Sequence, residues 1–187
     1  MPRTRAKRAI ARLELATVDH APAIVLLRNA VATALTLHYG KGHWSSQVSE
    51  RGVLYELRTS RVFIMRRGKR IIASLRLGTK KPWAIDTAYF TACERPIYLT
   101  DMAVEPSVQR QGIGRLCIDQ AREIVRAWPA DAIRLDAYDA TAGAGAFYAK
   151  CGFREVGRVT YRSNPLLYFE MLLERRPAAS LGMRHRG

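Results

Sequence analysis

The sequence predicts one domain of the α/β (α+β) class, a mixed sheet carrying helices on both faces. Three observations predict it. The chain has 187 residues, 48% of them hydrophobic, which suits one core of ordinary domain size. No internal repeat and no low-complexity linker divides it. Its apolar pattern, read from end to end, alternates between strand-like runs and helical spacing in the order β-α-α-β-β-β-α-β-α-β-β.

Ala9–Leu15 reads as the first strand. Thr17 is placed to cap a helix from about Asp19 to His38, with Pro22 tolerated in its first turn. Ile24, Leu27, Val31, Leu35 and His38 keep the helical period of its buried side, and Arg28 interrupts that stripe. A second helix over Gln47–Thr59 aligns Val53, Leu54 and Leu57 on one face. Val62–Met65 and Ile71–Leu77 flank Arg67-Gly68-Lys69-Arg70 as a hairpin. Residues 78–95 are irregular, and a loop of that length in a compact domain is usually functional or mobile. Ile97–Val104 is the next strand. Gly112-Ile113-Gly114 then opens the clearest helix, where Ile113, Leu116, Cys117, Ala121, Ile124, Val125 and Trp128 recur at helical spacing opposite a charged face. Ile133–Tyr138 is a strand, Ala142–Lys150 a short helix closed by Gly152, and Arg154–Tyr161 and Leu167–Leu173 are the last strands.

The formal charge is +15 and is concentrated at the ends. Residues 1–8 form a basic tail whose charge continues to Arg12, and 174–187 set four arginines against Glu174; residues 9–173 are left as the domain. Excess positive charge attracts phosphates, whether of nucleic acid, an anionic membrane or a phosphorylated cofactor; basic tails that only aid solubility are the plainer reading. Cys93, Cys117 and Cys151 have neither metal-ligand nor redox spacing, and the histidines complete no cluster, so no metal is expected. Scattered thiols suit a reducing compartment, and no run approaches the roughly 20 apolar residues of a membrane span. The expected setting is the cytoplasm, with no membrane partner, although the Arg-rich start faintly resembles an organellar transit peptide.

The chemical signal is Val104-Glu105-Pro106-Ser107-Val108-Gln109-Arg110-Gln111-Gly112-Ile113-Gly114-Arg115, joining a strand to the start of an amphipathic helix. Helix starts expose unpaired N–H groups and the positive end of a dipole, so they favour anions. Two glycines allow close approach of an oxyanion and unusual dihedrals, while Arg110 and Arg115 add charge. The loop is neither a dinucleotide fingerprint, since Cys117 occupies the third glycine's place, nor a Walker A loop, which needs Gly-Lys-Ser/Thr.

Gln109-x-x-Gly112-x-Gly114 resembles the Gln/Arg-x-x-Gly-x-Gly/Ala motif of the GNAT N-acetyltransferase superfamily. Leu99–Pro106 looks like that family's fourth strand and its exit, and Ala144–Arg154 like its Ala-x-x-Phe/Leu-Tyr-x-x-x-Gly-Phe motif. The resemblance covers residues 9–173. It implies a mostly antiparallel sheet whose central strands splay to admit the pantetheine arm of acetyl-CoA. By the same resemblance the backbone of Met102, Ala103 and Val104 pairs with pantetheine amides, and the amides of Gln109, Arg110, Gln111, Gly112, Ile113, Gly114 and Arg115 hold the pyrophosphate. Thr141 stands where the family commonly has an asparagine on the cofactor, which implies weaker or rearranged contact there.

Transfer of an acetyl group by direct attack needs a neutral amine, a steadied carbonyl oxygen and protonation of the departing thiolate. Tyr148 matches the family's general acid and also borders the cofactor; the Val104 N–H is a donor for the carbonyl oxygen. Asp136 and Asp101 interrupt apolar strands and are the candidate bases, Asp136 first; Glu105, Asp139 and Asp86 are weaker candidates. Trp83, Tyr89, Phe90, Tyr161 and Tyr168, with Asp86, Glu94 and Glu170, offer an acceptor wall for an amine, although such aromatics more often only pack. The acceptor is expected to be a small amine, amino acid or peptide, and a homodimer is compatible with this reading. The alternatives are an amine borne on RNA such as aminoacyl-tRNA, a protein N-terminus, or a non-catalytic module that senses acetyl-CoA or binds nucleic acid through the basic tails.

Overall fold

The computed structural model describes residues 11–174, so both tails and the start of the first strand, as read above, lie outside the described residues. The strands are β1 (Leu13–Leu15), β2 (Arg61–Arg67), β3 (Arg70–Gly78), β4 (Pro96–Val104), β5 (Ala132–Tyr138), β6 (Arg154–Tyr161) and β7 (Asn164–Leu172). The helices are α1 (Ala21–Tyr39), α2 (Glu50–Thr59), α3 (Ile113–Arg126) and α4 (Gly145–Lys150). The seven strands form one sheet in the order β1-β2-β3-β4-β5-β7-β6. Every neighbouring pair is antiparallel except β4 and β5. This is the predicted class and element order.

Side chains alternate across the pleat and so divide the core in two. On one face Phe63, Met65, Ile72, Leu75, Leu77, Leu99 and Leu135 meet the buried stripe of α3, Cys117, Ile118, Ala121 and Val125. On the other, Val62 and Ile64 meet Ile24, Leu27 and Val53 from α1 and α2. Burying such side chains is worth roughly 1.5–3 kcal/mol each.

Three details differ from the sequence reading. A single turn at Val18–His20 precedes α1, and the Thr17 N–H donates to His20 Nδ1 at 2.9 Å. Thr17 therefore caps that turn, and the helix proper starts later. His38, placed on the buried side, is exposed. Arg28 does not break the stripe but is buried within it, because its guanidinium reaches Glu56 of α2 at 2.7 Å and Ser74 of β3 at 3.5 Å. Counted with its first turn, Val18–Tyr39 is long and apolar enough to cross a membrane by length and composition. Here it packs on α2 and the sheet through Ala21, Ile24, Leu27, Arg28 and Ala32.

What positions the site is the short contact between β4 and β5. The two strands pair only over Pro96–Tyr98 and Ala132–Arg134. Beyond that the β5-facing edge of Leu99–Val104 has no strand partner.

Candidate active site

The open edge is made by the sequence of β4. A register shift lies between Ser74 and Arg76 of β3, opposite Asp101, whose φ of 52° is left-handed. Such a bulge bends a strand and increases its local twist, and it lies where pairing with β5 has already ended. The Glu105 N–H donates to Ile72 of β3 at 2.9 Å. By strand alternation the N–H and C=O of Val104 therefore point the other way, into the gap. The Gln109 side chain takes the Val104 carbonyl at 2.9 Å and leaves its N–H facing the cleft. Pro106, with no N–H to give, ends the ladder.

A cavity of about 560 Å³ occupies this gap. Of the candidates from sequence, Met102, Ala103, Val104, Gln109, Arg110, Gly112, Gly114, Arg115 and Tyr148 line it. Gln111, Ile113 and Thr141 do not. Gln111 is exposed and donates to the Ser107 carbonyl at 3.2 Å; the Ile113 side chain is in the core, which leaves its main-chain N–H as its available donor; Thr141 is exposed beyond the rim. The cavity wall near that position is made instead by Ala142 and Ala144.

The two glycines act differently. Gly112 has a φ of +81° and open space where a Cβ would be, so conformation and access explain it. Gly114 lines the cavity, and a Cβ on it would stand 3.1 Å from the Phe147 ring, so this glycine also lets α3 approach α4. Ile113, Gly114 and Arg115 begin α3, where a helix has no carbonyls of its own to receive their N–H groups. Arg115 is held by Asp119 at 3.2 Å and by the Lys150 carbonyl at 2.7 Å, tying α3 to α4. Arg110, at a φ of 59°, is exposed at the cleft and makes no ion pair among the described residues.

Tyr148 is buried, with its ring against Phe147, Phe153 and Phe169 at centroid distances of 5.2, 5.7 and 6.1 Å. Its hydroxyl crosses the gap to the Met102 sulfur at 4.0 Å. Burial, then the charge of Asp136, pushes its proton affinity far above the ordinary phenol value. The phenol thus stays protonated at neutral pH.

The candidate bases separate. Asp101 is half taken by Arg76 at 2.8 Å. Asp136 is raised above the usual carboxylate range by burial, with a smaller contribution from Asp101. Neither lines the cavity, but Asp136 is close enough for its charge to raise Tyr148, Tyr138 and Tyr168. The weaker candidates are occupied elsewhere: Glu105 by Arg70, Asp139 by Arg158 at 3.1 Å, and Asp86 by the N–H of Ala88 at 3.0 Å.

The expected acceptor wall is partly internal and partly open: Trp83, Asp86, Tyr89, Tyr161 and Tyr168 border one cavity of about 520 Å³, while Phe90 and Glu170 are buried away from it. Phe90 and Tyr168 are buried together with Ile85 and Tyr98, and Tyr89 meets Tyr168 edge-on at 5.5 Å. Glu170 is buried against Arg134 and Arg154, so it is not free to receive an amine. Tyr161 lies under its neighbour Arg162 at 5.4 Å, and Glu94 is exposed. Among the described residues no group of three or more His, Cys, Asp or Glu is arranged for a metal ion.

Sequence reasoning missed Val31 and Leu35 of α1, and Phe147, Lys150 and Cys151, all on the cavity wall. It also missed a cap over the end of β5, where His43 stacks on Tyr138 at 5.7 Å and Trp44 meets the same ring at 6.4 Å. The signal was Gly40-Lys41-Gly42-His43-Trp44 between the two first helices. Trp44 donates to the Gly40 carbonyl at 3.0 Å, and Gly42 has no room for a Cβ beside the indole.

A cleft between splayed parallel strands, bordered by a helix start and a buried phenol, is the arrangement that the resemblance to GNAT acetyltransferases implies. The model of the Acetyltransferase (GNAT) family matches residues 29–153, and the chain belongs to that family. Among solved structures, the ribosomal-protein-S18-alanine N-acetyltransferase of Escherichia coli is similar at TM-score 0.67 and 15% identity, covering 91% of this chain and 98% of that one. The ribosomal-protein-alanine N-acetyltransferase of Brucella melitensis is similar at 0.65 and 19%, covering 86% and 99%. A putative acetyltransferase of Salmonella typhimurium, solved with its cofactor acetyl-CoA, is similar at 0.64 and 16%, covering 91% and 98%. None of the curated proteins matches the sequence.

Proposed function

We propose that the protein transfers the acetyl group of acetyl-CoA directly to a primary amine of a small molecule, amino acid or peptide, in the cytoplasm. The observation that carries this reading is the placement of the Tyr148 hydroxyl across the gap from Met102, in the same cavity as the start of α3. The cosubstrate supplies an acetyl thioester, and the cavity suits it: an unpaired strand edge faces amides, and unpaired N–H groups with Arg110 face phosphates.

In the proposed reaction the amine nitrogen bonds to the thioester carbonyl carbon, and the carbon–sulfur bond breaks. The Val104 N–H donates to the carbonyl oxygen as charge grows there. Asp136, raised by burial and free of a guanidinium partner among the described residues, takes the proton the amine must lose, through water. Tyr148 gives its proton to the departing thiolate. Its high proton affinity keeps the donor loaded but makes the phenolate a poor product, so recovery of the proton from the Asp136 side completes the cycle.

The test is a panel of amino acids, polyamines and peptides with free N-termini, followed by free thiol release. Release that depends on one acceptor class is the expected result. Absence of release with every amine, together with no heat of acetyl-CoA binding, would overturn the proposal.

A further inference from the structure

A second cavity of about 220 Å³ lies between the end of α2 and the start of the 78–95 loop. Tyr55 and Trp83 border it, with Arg76, Lys80, Lys81 and Thr100. Both rings are out in solvent, Tyr55 at 56% exposure and Trp83 at 85%. An indole this exposed leaves its apolar faces in water, and it does not hang on a loose loop. Lys81 Nζ, two residues before it, donates to the Ile85 carbonyl at 2.7 Å. Just after it, Ala84 accepts from the Tyr168 hydroxyl and Asp86 donates to that hydroxyl at 3.1 Å. The loop is fastened on both sides, and the ring is held outward.

The charge around these rings is mostly positive, Arg76, Lys80 and Lys81 standing against the one carboxylate of Asp101. Arg76 keeps a single carboxylate partner, Asp101; Lys80 makes no ion pair among the described residues; Lys81 spends its hydrogen bonds on neutral carbonyls and so keeps its charge uncompensated. Exposed aromatic faces among cations suit a ligand that is planar, aromatic and anionic at once. A nucleotide is such a ligand: a base stacks on the ring and its phosphate meets the cations. The formal charge of +15 adds a field that draws a polyanion rather than a single small anion.

We infer that this cavity receives a nucleotide of a single-stranded nucleic acid, with the base on Trp83 or Tyr55 and the phosphate at Lys80 and Lys81. This cavity shares no lining residue with the acetyl-transfer cleft; Thr100 borders the one and Met102 the other. The inference is independent of the acetyl-transfer reading.

Trp83→Ala separates this from mere attraction between a basic chain and a polyanion, because it removes no charge. The probe is a fluorescent twelve-nucleotide oligoadenylate, titrated by anisotropy with the full chain and no acetyl-CoA. A duplex of the same length is the control, since its paired bases are not free to reach the rings. Trp83→Ala should weaken single-strand binding roughly five- to a hundredfold and leave duplex binding unchanged. Lys80→Gln should lower the slope of log affinity against log salt by about 1. Unchanged single-strand affinity in both Trp83→Ala and Tyr55→Ala would overturn the inference, as would equal losses for strand and duplex. Either result leaves the thiol-release test of acetyl transfer standing.

Discussion

Replacing Tyr148 by phenylalanine removes one oxygen from the centre of the cleft. The ring contacts with Phe147, Phe153 and Phe169 survive, because they are made by carbon faces and edges. What is lost is a long contact to the Met102 sulfur at 4.0 Å, a weak acceptor. The stability change should stay within about 1 kcal/mol, which for a domain of this size is a shift of only a few degrees in Tm. Loss of a general acid is a much larger effect. Acid catalysis contributes about 10²–10⁴ in rate, or roughly 2.7–5.5 kcal/mol of barrier, and a loss of at least about tenfold is expected here. The assay is thiol release at saturating acetyl-CoA across the pH range, beside calorimetric binding of acetyl-CoA and a melting curve. Turnover should fall while affinity and Tm hold. If turnover is unchanged at every pH, Tyr148 is a packing residue and the proton for the thiolate comes from elsewhere.

Gly112→Asp and Gly112→Asn share a shape and the same left-handed strain at φ +81°, and neither Cβ meets a neighbour. The aspartate alone adds negative charge at the start of α3, so calorimetry should show acetyl-CoA affinity largely kept in Asn and lost by about a hundredfold or more in Asp; equal affinities would move the pyrophosphate elsewhere. Burial holds Asp136 above the ordinary value of 3.8, so the folded state binds that proton more tightly than the unfolded chain does. Its charge therefore costs stability as pH rises through its folded value, and Asp136→Asn should be more stable than the parent in urea at about pH 8 and equal to it at about pH 3. A stability difference that does not vary with pH would refute the burial argument. Glu56→Ala would strand the Arg28 guanidinium, buried with a side-chain exposure of 6%, and should cost about 3 kcal/mol or more in chemical unfolding; a loss under about 1 kcal/mol would mean that water reaches Arg28.

The fold was legible because its signals are local. The stripe on α3 and the alternation in β2 and β3 follow from periods of side-chain direction, and the loop at Gly112 follows from the geometry of a helix start. Arg28 shows where such reading fails. Its position in an apolar stripe looked like an interruption, since the carboxylate that makes burial tolerable is on α2 and the hydroxyl beside it on β3. Glu170 fails in the opposite sense: an acid on a strand looked available to an amine, and two arginines distant in sequence enclose it. The glycine pair was found, but a second demand on Gly114 was not, because the ring that also needs it to be small belongs to Phe147, on another helix.

By itself the sequence determined which segments bury which faces, and where a strand runs into an anion-favouring helix start, since both depend on residues a few positions apart. Tertiary structure alone decided that β4 and β5 pair for three residues and then part, that Tyr148 faces Met102 across the opening, and which of two aspartates keeps a cation for company. These are distances between elements far apart along the chain. Charge, burial and hydrogen bonding act through those distances, and no pattern of neighbouring residues records them.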